Sequence, residues 1–301
     1  MAIAAGMLNA GMVGIGTFRL DRPALDVVRA AKGDQIVSLC IPCRNEAPTI
    51  GRLVGLIRRE LMGPDGVVDE LIVIDDASTD GTGWEAAQAG ARVVPIADVH
   101  AVHGPGRGKG NALWASLLVS LGDVVVWCDG DLTSFEPDWI PRLAAPLLAD
   151  PGIGLVKASY RRPTDTGGGG RTTELVARPL LSLYYPELAR LDQPLAGEYA
   201  VRAATAAEIP FVQGWGVEIA MLIDVAERFG PQAITQVDLG LREHRHHPLE
   251  ALSLQAAEVM ATVLARTAEG KLLDDDLRLT RADGDTLALN LAQRPPLVDL
   301  E

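Results

Sequence analysis

Asp129-Gly130-Asp131 directly follows an apolar run, and two carboxylates two residues apart at a strand end can reach one hard cation and a ribose together. A divalent ion held there would bridge a diphosphate and stabilise it as a leaving group. The competing reading is a solvated turn. Asp75-Asp76-Ala77-Ser78-Thr79-Asp80-Gly81-Thr82 closes another apolar run with acids and hydroxyls that suit a base or ribose, Asp76 above all. Asp80 or Thr82 fits a helix N-cap equally well. Gly104-Pro105-Gly106-Arg107-Gly108-Lys109-Gly110 precedes a helical stretch. Glycine-rich backbone with a lysine at a helix N-terminus holds phosphate, unless the segment is simply a mobile loop. It is not a P-loop, because Gly110 stands where a Ser or Thr would follow Gly-Lys, and its place after a later strand excludes a dinucleotide-binding fingerprint.

Two further clusters carry cationic or ligating groups. Gly167 to Gly170 leads into Arg171-Thr172-Thr173, where Arg171 offers a planar fork to a phosphate or carboxylate and Thr173 a hydroxyl at a helix start. A capped helix after a disordered loop is the alternative. Arg242-Glu243-His244-Arg245-His246-His247 holds three of the five histidines, and one of them would complete a metal site with the Asp-x-Asp pair, if the stretch is not a polar surface turn. Cys40 and Cys43 have the C-x-x-C spacing, yet no second ligand pair lies nearby and Pro42 sits between them at a strand end, so they read as buried, unpaired thiols.

These groups need a scaffold. Residues 36–42, 70–76, 91–95 and 123–128 read as short buried strands, and 49–61, 83–89 and 110–121 as helices between them. The β-α-β-α order implies an α/β fold, a mainly parallel sheet flanked by helices. Such sheets collect ligands beyond the carboxyl ends of their strands, where Asn45-Glu46, Asp75-Asp76 and Asp129-Asp131 all stand. A helix is expected over 173–183 and a long one over 249–268, with an acidic, then proline-rich tail wrapping the surface.

The chain has 301 residues and a net charge of −13, which argues against nucleic acid or an anionic membrane as partner. Its first 18 residues carry no charged side chain and no basic region before an apolar core, so neither a signal peptide nor a membrane span is expected there. The domain reading is an arm over 1–33, a nucleotide and acceptor domain over 34–240, and a metal-histidine loop, helix and tail over 241–301. Reduced thiols suit the cytoplasm.

The succession of motifs resembles the glucosyl-3-phosphoglycerate synthase family, retaining glycosyltransferases with a GT-A fold. The matching stretches include Pro42-x-x-Asn45-Glu46, Asp69-Glu70-Leu71-Ile72-Val73, Ser78-Thr79-Asp80, Gly106-x-Gly108-Lys109-Gly110, Asp129-x-Asp131 and Tyr160-Arg161-Arg162-Pro163. They continue with Gly168-Gly169-Gly170-Arg171, Thr173 to Leu181, Gln193-Pro194-Leu195-x-Gly197-Glu198-Tyr199-Ala200, Gly214-x-Gly216-Val217-Glu218-Ile219 and Arg242-x-His244-Arg245. The resemblance implies a Rossmann-like GT-A domain with a C-terminal helical extension, and a homodimer. It places Pro42, Glu46, Asp76, Lys109, Asp129 and Gly130 at the nucleotide, and Asp131 and His244 at Mg²⁺ or Mn²⁺. It places Glu218 at the sugar hydroxyls, and Gly170, Arg171 and Thr173 at the acceptor's anionic group. Leu195, Trp215, Arg242 and His246 join the substrate set, and Lys109, Asp131 and Glu218 the catalytic one. The implied donor is UDP-glucose or a GDP-sugar and the acceptor 3-phosphoglycerate, by front-face departure without a protein nucleophile.

The chain departs from the family pattern at Trp215 (usually Tyr), His246 (usually Asn), Ala196 (usually Ser) and Cys43-Arg44 (usually Ala-Leu). Most of these lie near donor sugar or acceptor. They open a second reading, a lincosamide-type enzyme joining a GDP-octose to ergothioneine, with Trp215 facing a quaternary ammonium. A third reading is a nucleotide-sugar binding protein without catalysis.

Overall fold

The computed structural model describes residues 16–18, 25–161, 170–241, 249–267, 278–280 and 286–300. In chain order the larger elements are β1 (Gly16–Phe18), α1 (Leu25–Lys32), β2 (Val37–Cys43), α2 (Ala47–Leu61), β3 (Glu70–Asp75), α3 (Thr82–Ala89), β4 (Arg92–Pro95) and α4 (Ile96–His103). Next come α5 (Lys109–Val119), β5 (Val124–Trp127), α6 (Trp139–Ala149), β6 (Leu155–Arg161), α7 (Arg178–Tyr184), β7 (Tyr199–Arg202), α8 (Ala203–Ala207) and β8 (Phe211–Val212). The chain ends with α9 (Val217–Phe229), β9 (Ile234–Leu241), α10 (Leu249–Ala265), β10 (Arg278–Thr280), β11 (Thr286–Ala288) and β12 (Gln293–Arg294).

The main sheet has eight strands in the order β1-β9-β6-β7-β5-β2-β3-β4. Its pairs are parallel except those made by β7, which runs antiparallel to both β5 and β6. The expected α/β sheet is therefore present, with one reversed strand at its centre. Alternate residues of β2, β3, β5, β6, β7 and β9 feed two apolar layers, one on each face. Leu39, Ile41 and Cys43 enter the layer under α2 and α6, while Cys40 enters the layer under α5 and α9. An offset of three residues in a strand reverses the side chain, so Cys40 and Cys43 lie on opposite faces and cannot pair. Cys40, Cys43 and Cys128 are all free and buried, and burial pushes the Cys40 thiol up to about 12.

Both ends of the chain contribute more than an arm and a wrapping tail. In the segment 1–33, Gly16–Phe18 adds an edge strand parallel to β9, and α1 buries Val28 in the core. At the other end β12 pairs with β8 in a separate two-stranded ribbon. A π-helical turn, Thr173–Ala177, leads into α7 within the expected 173–183 helix. Among the described residues no helix is long and apolar enough to cross a membrane.

Candidate functional site

The first wall of the site is built by the turns after β2 and β3. Asn45 stands at φ 58°, a left-handed conformation asparagine tolerates. Its N–H donates to Ser78 Oγ at 3.0 Å and its Oδ1 accepts from the Thr79 N–H at 2.9 Å. Glu46 N–H donates to Thr82 Oγ1 at 2.8 Å, and Ala47 N–H to Asp80 Oδ2 at 3.1 Å. Asp80 and Thr82 thus satisfy orphan donors of α2, whereas α3 begins at Gly81 without a side-chain cap. Helix capping was the right physics for this pair: besides its bond to α2, Asp80 accepts the first N–H of α3, that of Thr82, through Oδ1 at 3.0 Å. Pro42 is half-buried next to the end of β2. The Asp76 N–H donates to Cys43 O at 2.8 Å, which locks the two strand ends together. Burial raises the Asp76 carboxyl above its usual range, against the opposing pull of Arg44, 3.8 Å away, and of His100.

Lys109, at the first position of α5, stands at the centre. Its Nζ is 2.7 Å from Asp129 Oδ1 and 2.8 Å from Glu218 Oε1. Three catalytic or binding candidates that are far apart in sequence therefore meet at one ammonium. Burial pulls the Lys109 proton off, but Asp129 and Glu218 outweigh it and hold the group well above the usual lysine range. Gly130 is buried and lends its carbonyl to Thr49 Oγ1 at 2.8 Å, which ties the Asp-x-Asp turn to α2. A Cβ on Gly197 would collide with the Asp129 carboxylate, so the Gln193–Glu198 loop closes on the acid only because position 197 is glycine. Leu195, in the same loop, packs on the inner apolar layer.

Glu218 opens α9 and is 5% exposed, so its carboxylate lies inside the site wall. Trp215 precedes it with 47% of its surface exposed, and its N–H donates to Glu258 Oε2 of α10 at 2.7 Å. Gly170 takes φ 87°, Arg171 is half-buried and Thr173 is buried at 3% exposure. These three begin the π-turn that packs on α10, and α10 packs on α9 behind Glu218. Arg242, His244 and His246 lie outside the described residues. Asp131 is half-buried beside Gly130. Among the described residues no group of three or more His, Cys, Asp or Glu side chains is arranged as a metal site. The donors at Asp131 and Asp129 are hard carboxylate oxygens, the chemistry Mg²⁺ and Mn²⁺ take.

Sequence reading missed three residues around this cluster. Lys157 lies on β6, 1% exposed, with Nζ 2.6 Å from Ala196 O and 4.1 Å from the centroid of the Tyr199 ring. Burial lowers its pKa to about 7 even though Glu218 and Glu198 oppose that. A lysine within the otherwise apolar strand pattern Leu155-Val156-Lys157-Ala158 was the available signal. Gln213 accepts from the Arg107 N–H through Oε1 at 3.0 Å and from the Gly110 N–H through its backbone carbonyl at 2.9 Å. The glycine-rich loop is thereby held in place. Gly108 takes φ 89°, and a Cβ there would come within 2.7 Å of Gln213 O. The third residue, Arg294, comes from the tail.

Residues 38–205 match the glycosyl transferase family 2 profile. The chain is 43% identical over 295 residues to a glucosyl-3-phosphoglycerate synthase of Mycolicibacterium smegmatis, covering 93% of this chain and 95% of that one. It superposes with a TM-score of 0.86 on the Mycobacterium tuberculosis glucosyl-3-phosphoglycerate synthase solved with Mn²⁺, uridine-diphosphate-glucose and phosphoglyceric acid, at 41% identity, covering 96% and 99% of the two chains. The same enzyme solved with Mg²⁺ and uridine diphosphate superposes with a TM-score of 0.84 at 41% identity, covering 94% and 98%.

Proposed function

The chain belongs to the glucosyl-3-phosphoglycerate synthase family within glycosyl transferase family 2, and we propose that it moves glucose from UDP-glucose to 3-phosphoglycerate. Its eight-stranded sheet flanked by helices is a GT-A type fold. The observation that carries the reading is the meeting of Lys109, Asp129 and Glu218 at the carboxyl edge of the sheet, beside Asp131.

Each residue then has a chemical task. Asp76 and Glu46, at the ends of β3 and β2, receive the nucleoside, and Pro42 lines that wall. Asp129 and Asp131 hold the ribose and, with His244, the metal ion. Mg²⁺ or Mn²⁺, when bound, screens the diphosphate and stabilises it as it departs. Lys109 stays protonated because two carboxylates flank it. An ammonium has three hydrogens, so one remains for a phosphate oxygen as charge develops there. Glu218 is buried and accepts hydrogen bonds from sugar hydroxyls. Gly170, Arg171 and Thr173 take the acceptor's anionic end, and Leu195, Trp215, Arg242 and His246 shape its pocket. No side chain is assigned as a nucleophile, which fits front-face departure with retention of configuration.

The free, buried thiols of Cys40, Cys43 and Cys128 suit a reducing compartment, which supports the cytoplasm as the site of action. Exposed Leu175, Leu183 and Tyr184, on the π-turn and α7, support a homodimer through that surface.

Incubation with UDP-glucose or a GDP-sugar, each with 3-phosphoglycerate or ergothioneine, followed by mass spectrometry, tests the reading. Glucosyl-phosphoglycerate from UDP-glucose is expected, with an anomeric proton of the α configuration by NMR. No phosphoglycerate product with any donor would sink it, and a thioether product would establish the lincosamide-type reading instead.

A further inference from the structure

The glycine-rich loop that delivers Lys109 is clamped from the far end of the chain. Arg294 is 6% exposed. Its Nη1 donates to His103 O and its Nη2 to Gly104 O, both at 2.8 Å, and its Nε donates to Asn111 Oδ1 at 2.9 Å. These partners bracket the loop: His103 stands just before it, Gly104 opens it and Asn111 lies within the first turn of α5. The guanidinium lies 4.8 Å from the centroid of the Trp114 ring, and Trp114 Nε1 donates to Pro295 O at 3.0 Å. Upstream, Asn290 Nδ2 donates to Arg107 O at 3.2 Å, and its N–H donates to Glu258 Oε1 at 2.9 Å. The carboxylate of Glu258 also receives the Trp215 N–H. Ala292 O accepts from the N–H of Gln213, the residue that holds the other side of the loop.

The strap Asn290–Pro295 therefore touches both halves of the Lys109–Glu218 pair. It fixes the loop before Lys109 through Arg294 and Asn290, and the turn before Glu218 through Glu258. A planar guanidinium that spends its donors on two carbonyls and an amide inside the protein fixes backbone geometry in a way a flexible lysine cannot. Burial, with no carboxylate paired to it among the described residues, lowers the Arg294 pKa, which marks its charge as maintained at a cost.

The geometry points to Arg294 as a positioning residue of the donor site: the C-terminal strap sets the glycine-rich loop so that Lys109 meets the diphosphate. The inference rests on the assignment of Lys109 to the donor diphosphate. A strap that only stabilised the fold would change melting without separating the two substrates.

The test is steady-state kinetics with UDP-glucose and 3-phosphoglycerate, varied in turn, on wild type, Lys109→Met, Arg294→Met, Arg294→Lys and Asn290→Ala, well below each melting temperature. Arg294→Met should raise the donor KM or lower kcat on the order of tenfold or more, the cost of a misplaced binding group, with the acceptor KM unchanged. Arg294→Lys should recover part of the loss. Asn290→Ala, which removes one exposed bond, should move the same parameter in the same direction by about twofold or more, a share consistent with one hydrogen bond. It decides the matter if Arg294→Met does not fold. Unchanged donor parameters in a folded Arg294→Met, or in Asn290→Ala when that is the deciding variant, overturn the inference, as does an equal rise for both substrates. If Lys109→Met is also without effect on the donor, the assignment of Lys109 itself has failed, which is a separate outcome.

Discussion

Lys109 and Lys157 are two buried ammonium groups under opposite pressures. Lys109 gains two carboxylates at contact distance and keeps its proton. Lys157 has a carbonyl and a ring face, and burial drags it to about 7. Lys109→Met should therefore lower kcat by about a hundredfold, the usual scale for removing a charge that stabilises a departing anion, while circular dichroism stays native. Lys157 gives a stability signal with a definite sign. Its folded pKa is below its unfolded value, so the unfolded chain binds the proton better between pH 7 and the ordinary lysine range near 10.5. The penalty is complete below pH 7 and is relieved as pH rises through that window. Melting curves of wild type and Lys157→Met should show wild type gaining on the variant from pH 7 to about 10. A difference that does not change with pH contradicts the assignment.

At the scale of elements, strands β2, β3, β4 and β5 and helices α2, α3 and α5 were legible, because each is a short apolar run or a helical period bounded by acids or glycine, whereas α4 was not read. The gathering of Asp76, Lys109 and Asp129 toward the carboxyl edge followed from their order. The antiparallel insertion of β7 was not legible: Tyr199–Arg202 pairs with β5 and β6, partners distant in sequence, and no local pattern encodes a partner. The role of Asp80 was half-legible, since its chemistry as a cap was clear but its target, Ala47, is reached only through the fold. Gly197 was quoted only as part of a family stretch, and its reason is the Asp129 carboxylate against it. Gly197→Ala should push that acid off Lys109 and cut turnover by about tenfold or more, as misplacement of a binding group does. Kinetics beside a melting curve that moves by only a few degrees would check it.

For the whole molecule, a net charge of −13 argues against a general polyanion surface, yet the chain sets the ammonium of Lys109 inside an acidic edge. That contrast was not visible in composition, because it depends on two carboxylates brought to one lysine. The chain ends were the least legible part. Apolar small residues gave no period for β1, and the proline-rich tail gave none for the strap that holds the loop. Light scattering should give twice the chain mass if Leu175, Leu183 and Tyr184 cover one another in a homodimer, and Leu183→Glu should return a monomer. The most direct test of sugar transfer at the Asp-x-Asp edge is product formation from UDP-glucose and 3-phosphoglycerate with Mg²⁺ or Mn²⁺, for wild type and Asp131→Ala side by side, with and without EDTA. Glucosyl-phosphoglycerate should form with wild type and added metal, and should be lost with chelator and with the variant. Undiminished product from Asp131→Ala, or from wild type in EDTA, would contradict it.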